Sequence, residues 1–261
     1  MRTVTSGDNP ALKAAVKLHT RKGRKEAGAF LVPGRKLISE AARAGFEVEY
    51  VFIDSGALAR GEAAAGEYAE EIALEEGLFR SLAKTVTPQP HIAVVRRPKD
   101  RAPRGGGSGA KRVLILDRTQ DPGNVGTMIR SALAAGMDEV WCVKGTADVF
   151  SDKAVRASAG AAFHLPVREG LSAGWCVNSA RERGARLLVC SAGGEDLYKA
   201  DLTGSFALVV GNEGAGPQDE FLGAADAVIG VPMAAEAESL NAAAAAAVVI
   251  YEARRQSEVE S

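Results

Sequence analysis

Three polar turns follow apolar runs in the second half of the chain, and each carries residue types that can grip a small ligand. The first is DRTQDPGNVGTMIRSALAAG, Asp117 to Gly136, after a run ending at Leu116. Its turn holds Asp121, Pro122, Gly123 and Asn124, and a helix starts near Val125, where free backbone N–H groups favour an anion. Arg130 interrupts the apolar neighbours Met128, Ile129, Ala132 and Leu133. Arginine is seldom buried without a partner. Arg130 therefore reads as a clamp for phosphate or carboxylate, or as a solvent-facing arginine on an amphipathic helix, and residue type leaves both open.

The second turn is ALVVGNEGAG, Ala207 to Gly216, with Pro217 opening a helix. Glu213 lies in its middle and would repel phosphate. Neither GxxxxGK[ST] nor GxGxxG with a following acid is present. One carboxylate suits a ligand with positive charge or with amino and hydroxyl donors, and S-adenosylmethionine is such a ligand. The third turn is VIGVPMAAEAESLN, Val228 to Asn241, ahead of an alanine-rich helix. Ser239 reads equally well as an N-cap, with Glu236 and Glu238 favouring the dipole. That account covers Asn241 less well.

Alternating elements must position these turns. Strands are expected at 113–116, 139–143, 187–190, 207–210 and 227–231, and helices at 126–135, 153–157, 173–183, 217–222 and 240–252. The runs at 113, 187 and 207 are almost wholly apolar, as in strands covered on both faces. The pattern implies a parallel sheet in an α/β domain, with ligands beyond the carboxyl ends of its strands. Residues 96–112, RRPKDRAPRGGGSGAKR, hold two prolines, four glycines and seven basic residues, and read as a linker. Before it the reading is also α/β. It has helices from Asn9–Pro10 to about Thr20 and over 36–44, 66–74 and 78–84, and strands at 29–32, 48–53 and 91–95.

The 261 residues carry a formal charge of -1, which hides local fields of both signs. Eight basic residues lie between Leu12 and Lys36 against Glu26 alone, and six glutamates lie between Glu62 and Glu76 with no basic residue. Cys142, Cys176 and Cys190 have no paired spacing, and His19, His91 and His164 are far apart, so neither a disulfide framework nor a metal site is expected. The N-terminus lacks a signal peptide's apolar core. The apolar run Ala242–Ile250 is too short to span a bilayer. A cytoplasmic protein without metal or membrane is expected.

In order and spacing, DPGNVGTMIRSALAAG, VVGNEGAG and VPMAAEAESLN resemble the SpoU (TrmH-like) branch of the SPOUT RNA methyltransferases, and KAVRASAGAAFHLPV resembles a further family segment. Ala162–Phe163–His164 departs from the more basic or aliphatic stretch expected there. The stretch NPALKAAVKLHTRKGRKEAGAFLVPGRKLISEA is similar to a small L30e-like RNA-recognition domain. The resemblance implies an L30e-like domain over 1–95, a linker over 96–111, and a parallel-sheet SPOUT domain over 112–261 with a C-terminal trefoil knot. It also implies a homodimer with each site completed near the subunit interface. The cofactor implied is S-adenosylmethionine. Backbone groups of Gly211, Val231 and Leu240 would meet its adenosine end, with Asn212, Gly216, Ile229 and Met233 lining the same pocket.

The family's catalytic-site motif falls on Asn124, Arg130, Glu213, Ser239 and Asn241, and all five identities are kept. The implied reaction is methyl transfer to a ribose 2′-hydroxyl, which needs in-line geometry. The family assigns Arg130 as base, assisted by a substrate phosphate. A guanidinium holds its proton to a pKa above about 12, so phosphate binding and oxyanion stabilisation suit Arg130 better. Lys17, Arg24 and Arg35 are the expected RNA backbone contacts. The expected substrate is 23S ribosomal RNA. Resistance to a ribosome-targeting antibiotic lies within the family's range, as in the avilamycin- and thiostrepton-resistance enzymes. The alternatives are a tRNA 2′-O-methyltransferase, a non-catalytic RNA-binding protein, or a nucleotide-dependent oxidoreductase, which the missing dinucleotide fingerprint disfavours.

Overall fold

The computed structural model describes residues 3–64, 68, 70–98 and 112–259. It has two compact units, Met1–Asp100 with Phe150–Arg156, and Arg101–Val149 with Ala157–Ser261.

The first unit runs β1 (Thr3–Val4), α1 (Pro10–Lys17), α2 (Arg21–Ala27), β2 (Ala29–Pro33), α3 (Arg35–Arg43), β3 (Val48–Asp54), α4 (Ser55–Ala59), β4 (Glu71–Leu74), α5 (Glu76–Ala83) and β5 (His91–Arg96). Its sheet order is β1-β4-β3-β5-β2, with β5 antiparallel to both neighbours. Asn9 caps α1 through its side chain, with Pro10 in the first turn. The helix expected to continue to Thr20 stops at Lys17. Thr20 then caps a separate α2 by accepting from the Gly23 amide at 3.0 Å. Leu12, Ala15, Phe52, Phe79 and Leu82 form the core between helices and sheet.

The helix expected over 66–74 is corrected. Residues 71–74 form β4, paired in parallel with both β3 and β1. Glutamate and alanine favour a helix, but a slot between two strands decides the conformation. Residues 65–67 and 69, and the linker from 99 to 111, lie outside the described residues.

The chain continues with β6 (Arg112–Leu116), α6 (Pro122–Ala134), β7 (Glu139–Val143), α7 (Asp152–Ser158), β8 (Val167–Leu171), α8 (Ala173–Glu182), β9 (Arg186–Asp196), β10 (Phe206–Val210), α9 (Asp219–Ala224), β11 (Ala227–Gly230) and α10 (Ala242–Val259). Helix α7 falls mostly in the stretch Phe150–Arg156 that groups with the first unit, and the other elements form the second. The order is β11-β9-β10-β6-β7-β8 and every pair is parallel. Residues of β6, β9 and β10 are buried among Trp141, Cys176, Val177 and Phe221. Strand β8 was not expected from sequence. It sits at the sheet edge and is only half-buried, so it lacks the apolar run that marks the central strands. Ala161–Phe163 form a buried 3-10 turn packed against α6.

The strand order sets the site. Strand β6 is followed by β7 on one side, while β10 lies on the other, so the sheet's winding switches between β6 and β10. Ligands of open α/β sheets bind at such a switch point. Leu116 and Val210 are register partners, and the Asp117 N–H donates to the Val210 carbonyl at 2.9 Å. The turns after β6 and β10 therefore leave the sheet side by side.

Candidate active site

The turn after β10 is a closed loop. Asn212 and Gly216 exchange backbone hydrogen bonds at 3.2 and 2.9 Å. The Asn212 Oδ1 accepts from the Gly214 and Ala215 amides at 3.0 and 2.9 Å. Gly211 is required by this closure, because a Cβ there would lie 2.2 Å from the Pro217 nitrogen. A second close approach joins β9 to β11, where a Cβ on Gly194 would lie 2.6 Å from the Ile229 carbonyl carbon.

Glu213 ties this loop to the turn after β6. Its Oε1 accepts from the Asn124 Nδ2 at 3.0 Å and from the Asp121 N–H at 3.5 Å, and its Oε2 from the Gln120 N–H at 3.1 Å. Partial burial pushes the Glu213 carboxyl up. The donors at Asn124, Gln120 and Asp121 outweigh it and hold the group below its ordinary value. The carboxylate expected to suit a ligand with positive charge or donor groups thus has both oxygens on protein donors.

The third turn joins through Asn241. Its Oδ1 accepts from the Ala243 and Ala244 amides at 2.9 and 3.2 Å, so Asn241 and not Ser239 caps α10. Its Nδ2 donates to the Asn124 Oδ1 at 3.0 Å. The amide orientations follow without choice: only an oxygen can accept from the helix, and only an N–H can face a carboxylate. The result is a one-way chain from the α10 amides through Asn241 and Asn124 to Glu213.

Beside this chain opens a cavity of about 450 Å³, inside the range of small-molecule sites. Gly211, Asn212, Glu213, Gly216, Val231, Met233, Ser239, Leu240 and Asn241 all line it. Ile229 does not, as its side chain is fully buried in β11. Cys190, Ser191 and Ala192 add a fourth wall that was not expected from sequence. Its signal was present, since the apolar strand LLVC runs into the small residues SAGG. Burial pushes the Cys190 thiol up to about 11 and the Cys176 thiol up to about 12. Arg130 stands apart. It is exposed on α6, off the cavity wall, and makes no side-chain hydrogen bond or ion pair among the described residues.

In the first unit Lys17 and Arg35 are exposed. Arg24 is corrected: it is 6% exposed and its guanidinium donates to the Leu18 carbonyl at 2.7 Å, so it braces the α1–α2 turn. Among the described residues, no helix is long and apolar enough to cross a membrane, and no group of three or more His, Cys, Asp or Glu could hold a metal ion.

Comparison with known proteins covers both units. Residues 111–251 match the model of the SpoU rRNA Methylase family, and residues 9–93 match an MRM3-like substrate binding domain. The chain is 36% identical to the 23S rRNA (guanosine(2553)-2′-O)-methyltransferase RlmP of Bacillus subtilis (strain 168), over 97% of this chain and 100% of that protein. It is 33% identical to the 23S rRNA (uridine(2479)-2′-O)-methyltransferase of Streptomyces viridochromogenes, over 98% of this chain and 92% of that protein. Among solved structures, an AdoMet-bound rRNA methyltransferase from Sinorhizobium meliloti superposes with a TM-score of 0.83 at 28% identity, covering 97% of each chain.

Proposed function

The chain belongs to the SpoU rRNA methylase family, and we propose that it moves the methyl group of S-adenosylmethionine onto a ribose 2′-hydroxyl of 23S ribosomal RNA. The observation that carries this reading is the chain Asn241–Asn124–Glu213, which draws three separate turns around one cavity.

The cavity fits the donor. Its wall mixes glycine backbone at Gly211, Gly214 and Gly216 with the exposed apolar side chains Met233 and Leu240. A flat base can lie against the apolar side chains, while backbone groups supply polar contacts. When bound, S-adenosylmethionine supplies a methyl group activated by its sulfonium. Gly211, Val231 and Leu240 would hold the adenosine end through their backbone, with Asn212, Gly216 and Met233 around it. Ile229 backs this pocket from within β11.

The ribose oxygen must lose its proton as it attacks, and negative charge grows on it. Arg130 binds the phosphate beside the target ribose and stabilises that charge. Asn124 orients the ribose side of the site, Glu213 fixes Asn124, and Ser239 and Asn241 hold substrate and loop backbone. Arg130 stands off its own cavity wall, and in the proposed homodimer each site is completed near the subunit contact. The proposed trefoil knot would lie where the close approach of Gly194 to Ile229 brings the loops after β9, β10 and β11 together.

Residues 1–95 would dock the RNA, with Lys17 and Arg35 on phosphates, 96–111 would link, and 112–261 would methylate. Such a substrate places the enzyme in the cytoplasm. The test is transfer of labelled methyl groups to unmodified 23S rRNA and to tRNA in parallel. The reading expects labelling of 23S rRNA alone. Labelling of tRNA alone would replace it with the tRNA reading, and binding of RNA without S-adenosylmethionine affinity would replace it with a non-catalytic one.

A further inference from the structure

The carboxylate at the end of β6, Asp117, is fully buried. It is absent from the cavity wall, and none of the roles above uses it. Three donors surround it. The Gln218 N–H donates to Oδ2 at 2.7 Å, the Gln218 Nε2 to Oδ1 at 2.5 Å, and the Arg118 Nε to Oδ1 at 3.1 Å. A buried carboxylate is costly unless its oxygens are filled, so this set of donors is held tightly in place.

Gln218 is the first residue beyond the loop 211–217. That loop is closed on itself by the Asn212–Gly216 bonds and by the contact of Gly211 with Gly216 and Pro217, so it moves as one piece. Arg118 adds further ties across the same seam. Its guanidinium donates to the Gly216 carbonyl at 3.4 Å, and its own carbonyl accepts from the Asn212 Nδ2 at 2.9 Å. To make both contacts Arg118 adopts φ 58°, a left-handed conformation that side chains rarely take. Sliding the loop by one bond length would strip both Gln218 donors from Asp117, leaving Oδ1 to Arg118 and emptying Oδ2 inside the sheet.

We propose that Asp117 and Gln218 are positioning residues for the methyl transfer. The buried pair registers the closed loop 211–217 against the start of α6, which carries Asn124. It thereby sets affinity for S-adenosylmethionine without touching it. The proposal rests on reading 211–217 as the cofactor loop.

The test titrates S-adenosylmethionine into the full-length protein and three variants by calorimetry, with unfolding temperatures measured alongside. Gln218→Met removes only the side-chain donor. It should weaken cofactor binding about tenfold while the unfolding temperature falls by only a few degrees and the KM for RNA stays unchanged. Gln218→Glu sets a second carboxylate against Asp117, and one of the two must then hold a proton. Its affinity relative to wild type should be poorest at pH 8 and recover toward pH 6. The swap Asp117→Asn with Gln218→Glu restores a single charge and a donor between the two side chains, but sets the new amide N–H against the Arg118 Nε–H. It should therefore recover only part of the loss and bind better than Gln218→Glu at pH 8. A Gln218→Met protein that binds the cofactor within twofold of wild type would overturn the proposal. So would a swap that binds no better than folded Gln218→Glu. A wild-type protein that binds no S-adenosylmethionine would overturn the cofactor-loop reading instead, which keeps the two failures apart.

Discussion

The Asn241 side chain donates to the Asn124 side chain at 3.0 Å across 117 residues of sequence, while its own oxygen caps α10. One amide thus has two separable tasks. Asn241→Asp keeps the cap, because a carboxylate accepts from helix amides and favours a helix start. It loses the donor toward Asn124. The unfolding temperature should hold or rise, and methyl transfer should fall tenfold or more. Wild-type turnover in that variant would show that the cap alone matters.

Glu213 predicts a pH dependence. Its folded carboxyl lies below the ordinary value, near 4.3 for a free glutamate. The stability it contributes is therefore fully present above that ordinary value and is lost only as pH falls through the lower folded one. The difference in unfolding temperature between wild type and Glu213→Gln should persist at pH 5 and close in stronger acid. A gap already closed at pH 6 would mean the carboxylate is not held by Asn124 and the two amides.

Cys190 reports on the cavity. With its thiol pushed up to about 11, only a small fraction is thiolate at pH 7.5. Alkylation followed by mass spectrometry should be more than a hundredfold slower than for a free thiol near 8.5, rise about tenfold per pH unit, and slow further with S-adenosylmethionine. Equal rates with and without the cofactor would place the ligand elsewhere.

Arg130 separates binding from chemistry. Arg130→Ala should lower turnover by roughly 10²- to 10³-fold, the scale for removing one charge-stabilising donor, and leave cofactor affinity nearly unchanged. Arg130→Lys should recover little, because an ammonium lacks the planar fork that matches phosphate. Single-turnover assays at saturating cofactor make the measurement, and a wild-type rate in Arg130→Ala would remove the residue from the mechanism.

Much of the cavity was readable because polar turns follow apolar strands. Leu116, Val210 and Ile229–Val231 announce their turns, and Asn124, Glu213 and Asn241 lie within or just beyond them. Side-chain direction was less readable. Glu213 looked like a free carboxylate in a glycine turn, whereas its donors are two backbone amides and Asn124, and amide direction is invisible in residue type. Arg24 looked like its basic neighbours and is buried, with its guanidinium on the Leu18 carbonyl, a contact that residue type does not reveal. Strand β4 defeated local propensity, since only the neighbouring strands make EIAL extended. Asp117 has a signal in the sequence, a charge directly after four apolar residues at the mouth of a buried strand.

The chemical position of the transferred methyl group decides the matter most directly. Unmodified 23S rRNA would be treated with purified protein and labelled S-adenosylmethionine, then hydrolysed with alkali, which cleaves only beside a free 2′-hydroxyl. The label should appear in an alkali-resistant dinucleotide that yields a 2′-O-methyl nucleoside. Label recovered on a base, or in mononucleotides alone, would contradict a site built to methylate ribose.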